Sequence, residues 1–461
     1  MPRPGVFDVV VVGGGLAGWV AARRALELGA GVLLLERSRR RPGWGNSMIS
    51  GGALHAALGP PDTPPDELLA KVVAATDGVT EPSVARAWAG NAARAVDWIA
   101  GHGGRVVADG EAPHRAAVLA PVRATEPGLR HAGQGVPMLL RALSRGFGAD
   151  GGLAWRPARA RELSRQGELW RLTVDGDTGP SWPTARAVVL ADGGFQADPA
   201  LLRRFVGTDR VRLRATRTGT GDGLRMGLSV GAATVHMRGF YGHLLVREAL
   251  HDGRLWPYPI LDLLAEVGIV VDRDGRRIVD EGHGGVTTTN AVAWSASPDG
   301  CWLVFDDSAW RTEGRVGVCA PNPYLVESGA TVLRADSIED LARRAGLDPL
   351  ALSATVDEVR AGRGAPTRTG TLKAHGAPFY AVPLIAGVTF TLGGLRVDGD
   401  ARVLDTAGAV IPGLYAAGGT MGGLHGGPRA GYVGGLLEAA VFGLLAGEDS
   451  AAFAAGAVAA S

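Results

Sequence analysis

Val9-Val10-Val11-Val12-Gly13-Gly14-Gly15-Leu16-Ala17-Gly18 is the stretch that decides the fold. The apolar run up to Val12 reads as a strand buried on both faces. The glycines follow at once. In Gly13-x-Gly15-x-x-Gly18 the first glycine permits a tight turn. The second lets a pyrophosphate approach the backbone, and the third lets the next helix pack on its strand. Residues 16–29 then read as a helix ending at Gly29, with its N-terminus turned toward the phosphates. Val32 to Leu35 form a second strand, and Glu36 at its carboxyl end is placed for ribose hydroxyls. An acid there disfavours a 2′-phosphate. Strand, turn, helix, strand and acid in register predict a dinucleotide-binding βαβ unit.

A second glycine-rich stretch lies near the other end: Gly413-Leu414-Tyr415-Ala416-Ala417-Gly418-Gly419-Thr420-Met421-Gly422-Gly423-Leu424-His425-Gly426-Gly427-Pro428-Arg429-Ala430-Gly431. Gly434-Gly435 and an apolar helical run from Leu436 to Leu445 follow it. Strand, glycine turn and helix repeat the anion-binding logic of the first motif, at the other end of the cofactor. Just after the first unit, Gly45-Asn46-Ser47-Met48-Ile49-Ser50-Gly51-Gly52 sets hydroxyl and amide side chains beside close-approach glycines. That pattern suits a flat, polar-edged ring such as isoalloxazine. The chain is expected to leave one nucleotide-binding domain, build something else, and return.

Length and composition set the frame. The 461 residues allow two or three domains and a large core. A net charge of +1 gives no bias toward nucleic acid or an anionic membrane. The basic residues are nearly all arginine; lysine occurs only at Lys71 and Lys373. The 71 glycines are about twice the usual share and follow no collagen-like period. They belong in turns and close backbone contacts. Cys301 and Cys319 form no CxxC pair, metal-ligand set or disulfide framework. No leader pattern precedes the glycine turn, and no uncharged apolar run reaches the roughly 18 residues of a membrane span. A cytoplasmic location and no metal are the expectations.

Between the two signatures the pattern changes. Gly59 to Pro65 reads as a loop leading into a helix from Asp66. Leu169 to Val174 and Ala185 to Ala191 read as strands of a meander, and Asp222 to Val230 as a helix closed by Gly231. From about Gly239 to Phe390 aromatics and prolines become frequent. Within that region Val270 to Val279 reads as a hairpin around Asp274-Gly275, and residues 337–360 as helices of a small separate domain. The Ala-rich tail from Ser450 reads as frayed or weakly helical.

Further blocks carry a family likeness. They are Val189-Leu190-Ala191-Asp192-Gly193-Gly194-Phe195, residues 213–232 (LRATRTGTGDGLRMGLSVGA), residues 275–282 (GRRIVDEG) and residues 387–394 (GVTFTLGG). With the two glycine signatures, the chain resembles the flavoprotein subunit family of fumarate reductases and succinate dehydrogenases. The tricarballylate dehydrogenase-like branch is the most similar. The resemblance spans essentially the whole chain. It implies an α/β fold: a Rossmann-type FAD-binding domain (1–238 and 391–461) interrupted by a smaller α+β capping domain (239–390). It implies hydride exchange between flavin N5 and a substrate carbon, with a proton moved at the neighbouring carbon.

The resemblance also distributes roles. Gly13, Gly15, Leu16, Ala17, Gly18, Glu36 and Arg37 fall to FAD, with Asn46, Ser47, Ser50, Gly51 and Gly52. Ala191, Asp192, Gly193 and Asp222 join them, as do Gly418, Gly419, Arg429, Gly431 and Gly434. His243 falls at the family's substrate-binding histidine, and His425 matches its histidine in the closing turn. Arg429 matches the arginine that clamps a substrate carboxylate, a task that suits a planar guanidinium. Glu248 matches an acid of the reductases' proton pathway, and Phe390, followed by Thr391, stands where they carry a substrate histidine.

Departures from the pattern matter as much. His251 stands for an arginine, and Gly285 stands for the reductases' proton-donating arginine, four residues after Glu281. Gly419 replaces a glutamate. No histidine occupies the position of covalent flavin attachment near Gly45, so non-covalent FAD is expected. Tyr241, His251 and His283 are the candidate proton carriers.

The expectation is an FAD-dependent dehydrogenase forming C=C next to a carboxylate or carbonyl in a small molecule. The electron acceptor is left open between a partner protein, a quinone, a dye-like acceptor and oxygen. An enoate-type reductase, a ketosteroid-1-dehydrogenase-like enzyme on a ring ketone, a non-catalytic flavin subunit and a plain NAD-dependent dehydrogenase are the alternatives.

Overall fold

Val6–Val12 sits inside an eight-stranded sheet, hydrogen-bonded in parallel to Val32–Glu36 on one side and Thr184–Leu190 on the other. A computed structural model describes residues 6–122, 135–146, 153–177, 179–317 and 319–459. In that sheet Val410–Ala416 runs parallel to Thr184–Leu190, and Arg402–Leu404 closes the edge antiparallel. On the opposite side Leu153–Gln166 pairs with Val32–Glu36, then Leu169–Gly176 and Gly179–Ser181 follow antiparallel. Thus Gly13, Glu36, Ala191 and Ala417 all emerge at the carboxyl edge of parallel strands, where ligands bind in open α/β sheets. Val9, Val10 and Val11 are fully buried, as an all-apolar central strand requires.

The helix Leu16–Glu27 packs along the last helix, Gly435–Ala459. Two glycines allow the close approach: a Cβ at Gly443 would lie 2.8 Å from Ala17 O, and one at Gly447 2.7 Å from Ala21 O. The last helix continues past Ser450, which is fully buried together with Ala451 and Ala454. Of the two readings of the tail, frayed or weakly helical, the structure shows the helix, with Ser450, Ala451 and Ala454 on a packed face.

A second sheet is organised by Phe379–Thr391. That strand pairs with Phe240–Val246 on one edge and with Trp302–Asp306, then Ile269–Val271, on the other. The helices expected within 337–360 are present as Ile338–Ala345 and Pro349–Arg360. They share a separate apolar cluster with Ile269, Val304 and Phe379. The expected 270–279 hairpin is shorter than its sequence pattern. Its first arm ends at Val271, a single bridge pairs Val271 with Arg277, and Gly275 turns with φ +76°.

Two devices fix the substrate end. Thr234–Val235, Gly394–Arg396 and Met421–Gly422 form a three-stranded sheet, which holds the outgoing and returning chain together. Buried Glu281 accepts from Arg277, Arg368 and the Val270 amide, which anchors the turn before the helix Gly285–Trp294. Its charge is tolerated in the interior because two guanidinium groups and an amide surround it.

Candidate active site

At the nucleotide end the glycines divide the work. Gly13 has φ +107°, and a Cβ there would overlap Ala191 O. A Cβ on Gly18 would overlap Gly13 O. Gly15, by contrast, faces nothing nearer than Ser47 Oγ at 3.5 Å. Gly15 caps the helix without a side-chain hydrogen bond, and Leu16 N donates to Ser47 Oγ at 3.0 Å. The open side of this helix N-terminus is therefore where an anion fits.

Other expected cofactor residues border the same edge. Glu36 is 5% exposed and accepts from Gly14 N at 2.7 Å and Ser38 N at 2.8 Å. Burial raises its pKa against those hydrogen bonds. Gly193 N donates to Thr420 Oγ1, and Gly223 N to Asp192. Burial, reinforced by the Asp222 charge, pushes Asp192 up to about 6. Gly418 closes on the first helix, since a Cβ there would sit 3.0 Å from Ala17 Cβ, and Gly419 lies against Gly194. The two glycine signatures thus meet in space. Arg37 donates to Thr218 O and Thr220 Oγ1, while Asp222 takes a bidentate pair from Arg159. Asn46 bridges Thr389 O and Thr216, and Ser50 Oγ donates to Ser47 O, so the 46–52 loop is tied to the second sheet. Gly51 is exposed, and Gly52 turns with φ +85° against Leu119. Together the open helix terminus, the buried acid and the glycine-lined return segment fit FAD.

At the other end aromatic rings gather. Tyr241 and Tyr432 lie with ring centroids 4.2 Å apart, and Phe390 is 5.4 Å from Tyr241. His425 stacks on Tyr432 at 5.3 Å, and His55 meets the same ring edge-on at 5.4 Å. Tyr241 faces Phe390 across the strand pair, and a register shift follows between Tyr241 and Gly242. Such a bulge re-aims side chains. Asn290, on the helix Gly285–Trp294, clamps Phe240 through both its amide and its carbonyl, which fixes the start of the strand. A Cβ at Gly435 would lie 2.9 Å from the Phe390 ring, so glycine makes room for that ring.

A hydrogen-bonded chain runs through this group. Tyr241 Oη lies 3.1 Å from His243 Nε2, and His243 Nδ1 lies 2.7 Å from Asp262 Oδ2. The other Asp262 oxygen accepts from Leu244 N. Burial pushes the Tyr241 phenol up to about 12. Tyr432 is raised as well, chiefly by burial, and its Oη accepts from Gly435 N at 2.9 Å. His425 Nδ1 accepts from Val433 N, and its Nε2 lies 3.3 Å from Glu438. Both side chains are nearly fully buried.

Of the expected substrate and proton residues, the structure brings Tyr241, His243, Phe390 and His425 together. It does not bring Glu248 or His251 to them. Glu248 lies beyond the far end of the strand Phe240–Val246, about 20 Å along the chain, and accepts from Thr331 N. His251 is exposed on the turn that follows. Thr391 is buried, and its hydroxyl accepts from Phe195 N on the nucleotide side. Arg429 is paired with Asp77 and lies 3.3 Å from His283 Nδ1. Thr287 Oγ1 donates to Arg429 O. Arg429 and His283 therefore form a clasp between the return segment and the second sheet's helix. Gly431 and Gly434 act through close approach, to Ala75 O and His55 O.

Sequence reasoning missed Tyr432, Asp262, His55 and Arg214. Tyr432 left one signal, a lone aromatic between Gly431 and Gly434. Asp262 left none, since it reaches the site only because the start of its helix, Asp262–Val267, is hydrogen-bonded to the strand through Leu244. Arg214 sits close enough to Tyr241 to lower its phenol pKa. It donates to Pro257 O and Thr389 Oγ1 and lies over the Tyr258 ring at 5.0 Å. Among the described residues no carboxylate is within ion-pair distance of it.

The chain is similar to several known proteins. A fumarate reductase (cytochrome) of Shewanella frigidimarina is 26% identical over 479 residues, covering 97% of this chain and 77% of that one. A 4-oxocyclohexanecarboxylate 2-dehydrogenase of Sinomonas cyclohexanicum is 31% identical over 322 residues, covering 60% and 53%. The solved 3-ketosteroid-Δ4-(5α)-dehydrogenase of Rhodococcus jostii RHA1 superposes with TM-score 0.73 at 22% identity over 98% of each chain. The FAD binding domain family model matches residues 8–432, and this chain belongs to that family, with FAD as its cofactor.

Proposed function

We propose that this FAD-dependent oxidoreductase of CH–CH bonds oxidises a cyclic keto acid, forming C=C beside the ketone. The carrying observation is the facing pair of phenols, Tyr241 and Tyr432, with no arginine at position 285. Tyr432 Oη already accepts the Gly435 amide, which leaves its proton for a substrate carbonyl oxygen. Such a donor stabilises the charge that grows on that oxygen when the neighbouring C–H is lost. Tyr241 takes that proton. FAD, when bound, supplies two-electron hydride chemistry. Arg214, beside Tyr241 and without a carboxylate partner among the described residues, is suited to a substrate carboxylate, whereas Arg429 is committed to Asp77. Phe390 and the stacked His425 exclude water from the chamber.

A relative that acts on 4-oxocyclohexanecarboxylate supports a ring ketone with a carboxylate. Another that reduces fumarate supports the reverse direction as the competing reading. The electron acceptor stays open, and the FAD is proposed to be non-covalent. No described helix is long and apolar enough to cross a membrane.

The test is anaerobic. Holoenzyme is mixed with 4-oxocyclohexanecarboxylate and the flavin absorbance followed. Bleaching with an enone product, slowed about 10²-fold or more in Tyr241→Phe, is expected. Chemically reduced enzyme that is reoxidised by fumarate, with no bleaching by any keto acid, sinks the oxidative reading.

A further inference from the structure

One carboxylate, that of Asp262, is seated where a side chain at position 285 would begin. A Cβ on Gly285 would overlap Asp262 Oδ2 and Cγ. Gly285 is also the first residue of the helix that clamps Phe240, so its position is held by packing on both sides. Asp262 uses the vacated space to reach His243 Nδ1 at 2.7 Å while its other oxygen accepts Leu244 N at 2.9 Å. An ionised carboxylate only accepts hydrogen bonds, so a neutral His243 carries its proton on Nδ1 and offers a lone pair at Nε2. That lone pair faces the Tyr241 hydroxyl at 3.1 Å.

Resting on the oxidative reading above, we propose that Asp262, admitted by Gly285, is a positioning residue that fixes the His243 tautomer so that Nε2 withdraws the Tyr241 proton. The substrate C–H next to the ketone breaks, and its electron pair enters the new C=C. Its proton goes to Tyr241 Oη as the phenol proton passes to His243 Nε2. FAD, when bound, would accept the hydride that the neighbouring carbon gives up. The imidazolium so formed is stabilised by Asp262, the geometry that serves serine–histidine–aspartate triads. A relay is needed because Tyr241, pushed up to about 12 by burial, is a neutral phenol near pH 7 and cannot act as a phenolate base.

The charged and titratable groups around the relay are few. Arg214, Tyr258 and Tyr432 face Tyr241, and Glu266 packs beside Asp262. Glu266 is itself raised by burial and by the Asp262 charge, and it accepts the Gly285 amide. None of them reaches His243 Nδ1 in place of Asp262 among the described hydrogen bonds.

The test pairs a spectroscopic and a kinetic reading on FAD-loaded protein. Histidine nitrogen NMR in the wild type is expected to show His243 protonated at Nδ1, and Asp262→Asn to move the proton to Nε2. Asp262→Asn is expected to slow flavin bleaching by 4-oxocyclohexanecarboxylate by about 10²–10⁴-fold with FAD still bound. Gly285→Ala, which displaces the carboxylate, is expected to change tautomer and rate in the same direction. If Asp262→Asn does not fold, Gly285→Ala carries the comparison. An Nε2-protonated wild type, or variants that bleach at the wild-type rate, overturns the proposal. If no keto acid bleaches the wild type, the oxidative reading fails while the tautomer still decides the role of Asp262.

Discussion

The pyrophosphate end and the substrate chamber are built by opposite means. The first is made of backbone. Gly13, Gly15 and Gly18 lie within one turn, and two of them are hemmed in by main-chain oxygens. The second is made of side chains drawn from five separate segments, at His55, Tyr241, Asp262, Phe390 and Tyr432. The difference teaches what each end can tolerate. A backbone site fails wholly when one atom is added. A side-chain site fails by degrees, and its chemistry changes with single substitutions.

The largest effect should come from breaking the backbone end. Gly18→Val places branched carbons on Gly13 O and is expected to cost about 5 kcal/mol or more and abolish FAD uptake. Gly15→Ala meets only Ser47 Oγ at 3.5 Å, so it should fold normally and lose FAD affinity alone. Thermal unfolding of the apoproteins with a flavin-binding titration separates the two. Equal losses of fold in both would erase the division of labour among these glycines.

At the substrate end the two arginines sharpen the contrast. Arg214→Ala should raise KM for a keto acid by about 10–100-fold, from loss of a charge-assisted pair. Arg429→Ala should leave KM near wild type and change stability by no more than about 1 kcal/mol, because its Asp77 pair is largely solvated. The reverse ranking would return the carboxylate to Arg429.

A smaller effect is a matter of pH. Burial, then His114 and His425, lowers His55 to about 4 from 6.5. The unfolded chain takes up a proton below pH 6.5 that folded His55 refuses. Its contribution is therefore intact above pH 6.5 and is lost as pH falls toward 4, by about 3 kcal/mol in all. Asp192, raised to about 6, works in the opposite sense over 3.8 to 6. The His55 share is thus read as the difference between wild type and His55→Gln. Parallel melting-temperature profiles for the two between pH 7 and 4.5 would show that His55 titrates normally.

The same contrast explains what the sequence reveals. The βαβ unit is legible because its signals are contiguous: Val9 to Gly18 state strand, turn and helix in one reading, and Glu36 follows in register. Tyr241, His243, Phe390 and His425 were reachable through family resemblance. Asp262 was not, because its role depends on a missing side chain at Gly285 and on a helix start hydrogen-bonded to a distant strand. Arg214 lay inside a recognised block yet had no assigned task there. The 450–459 segment was legible only as frayed or weakly helical because an alanine run carries no periodic signal, whereas the last helix, packed on the first at Gly443 and Gly447, continues through it.

The seating of residues 410–416 beside Thr184–Leu190 has a consequence for biosynthesis. As the chain emerges from the ribosome, Trp170 and Arg171 can cover Thr184–Ala185, but Val188–Leu190 must wait through more than half the remaining translation with one edge bare. Such an edge invites pairing with foreign strands. The second sheet can form meanwhile from its own contiguous residues. The cofactor cavity is completed only when the return strand docks and the last helix lies down on the first. FAD capture is thus expected to be a late event, after the return strand has docked.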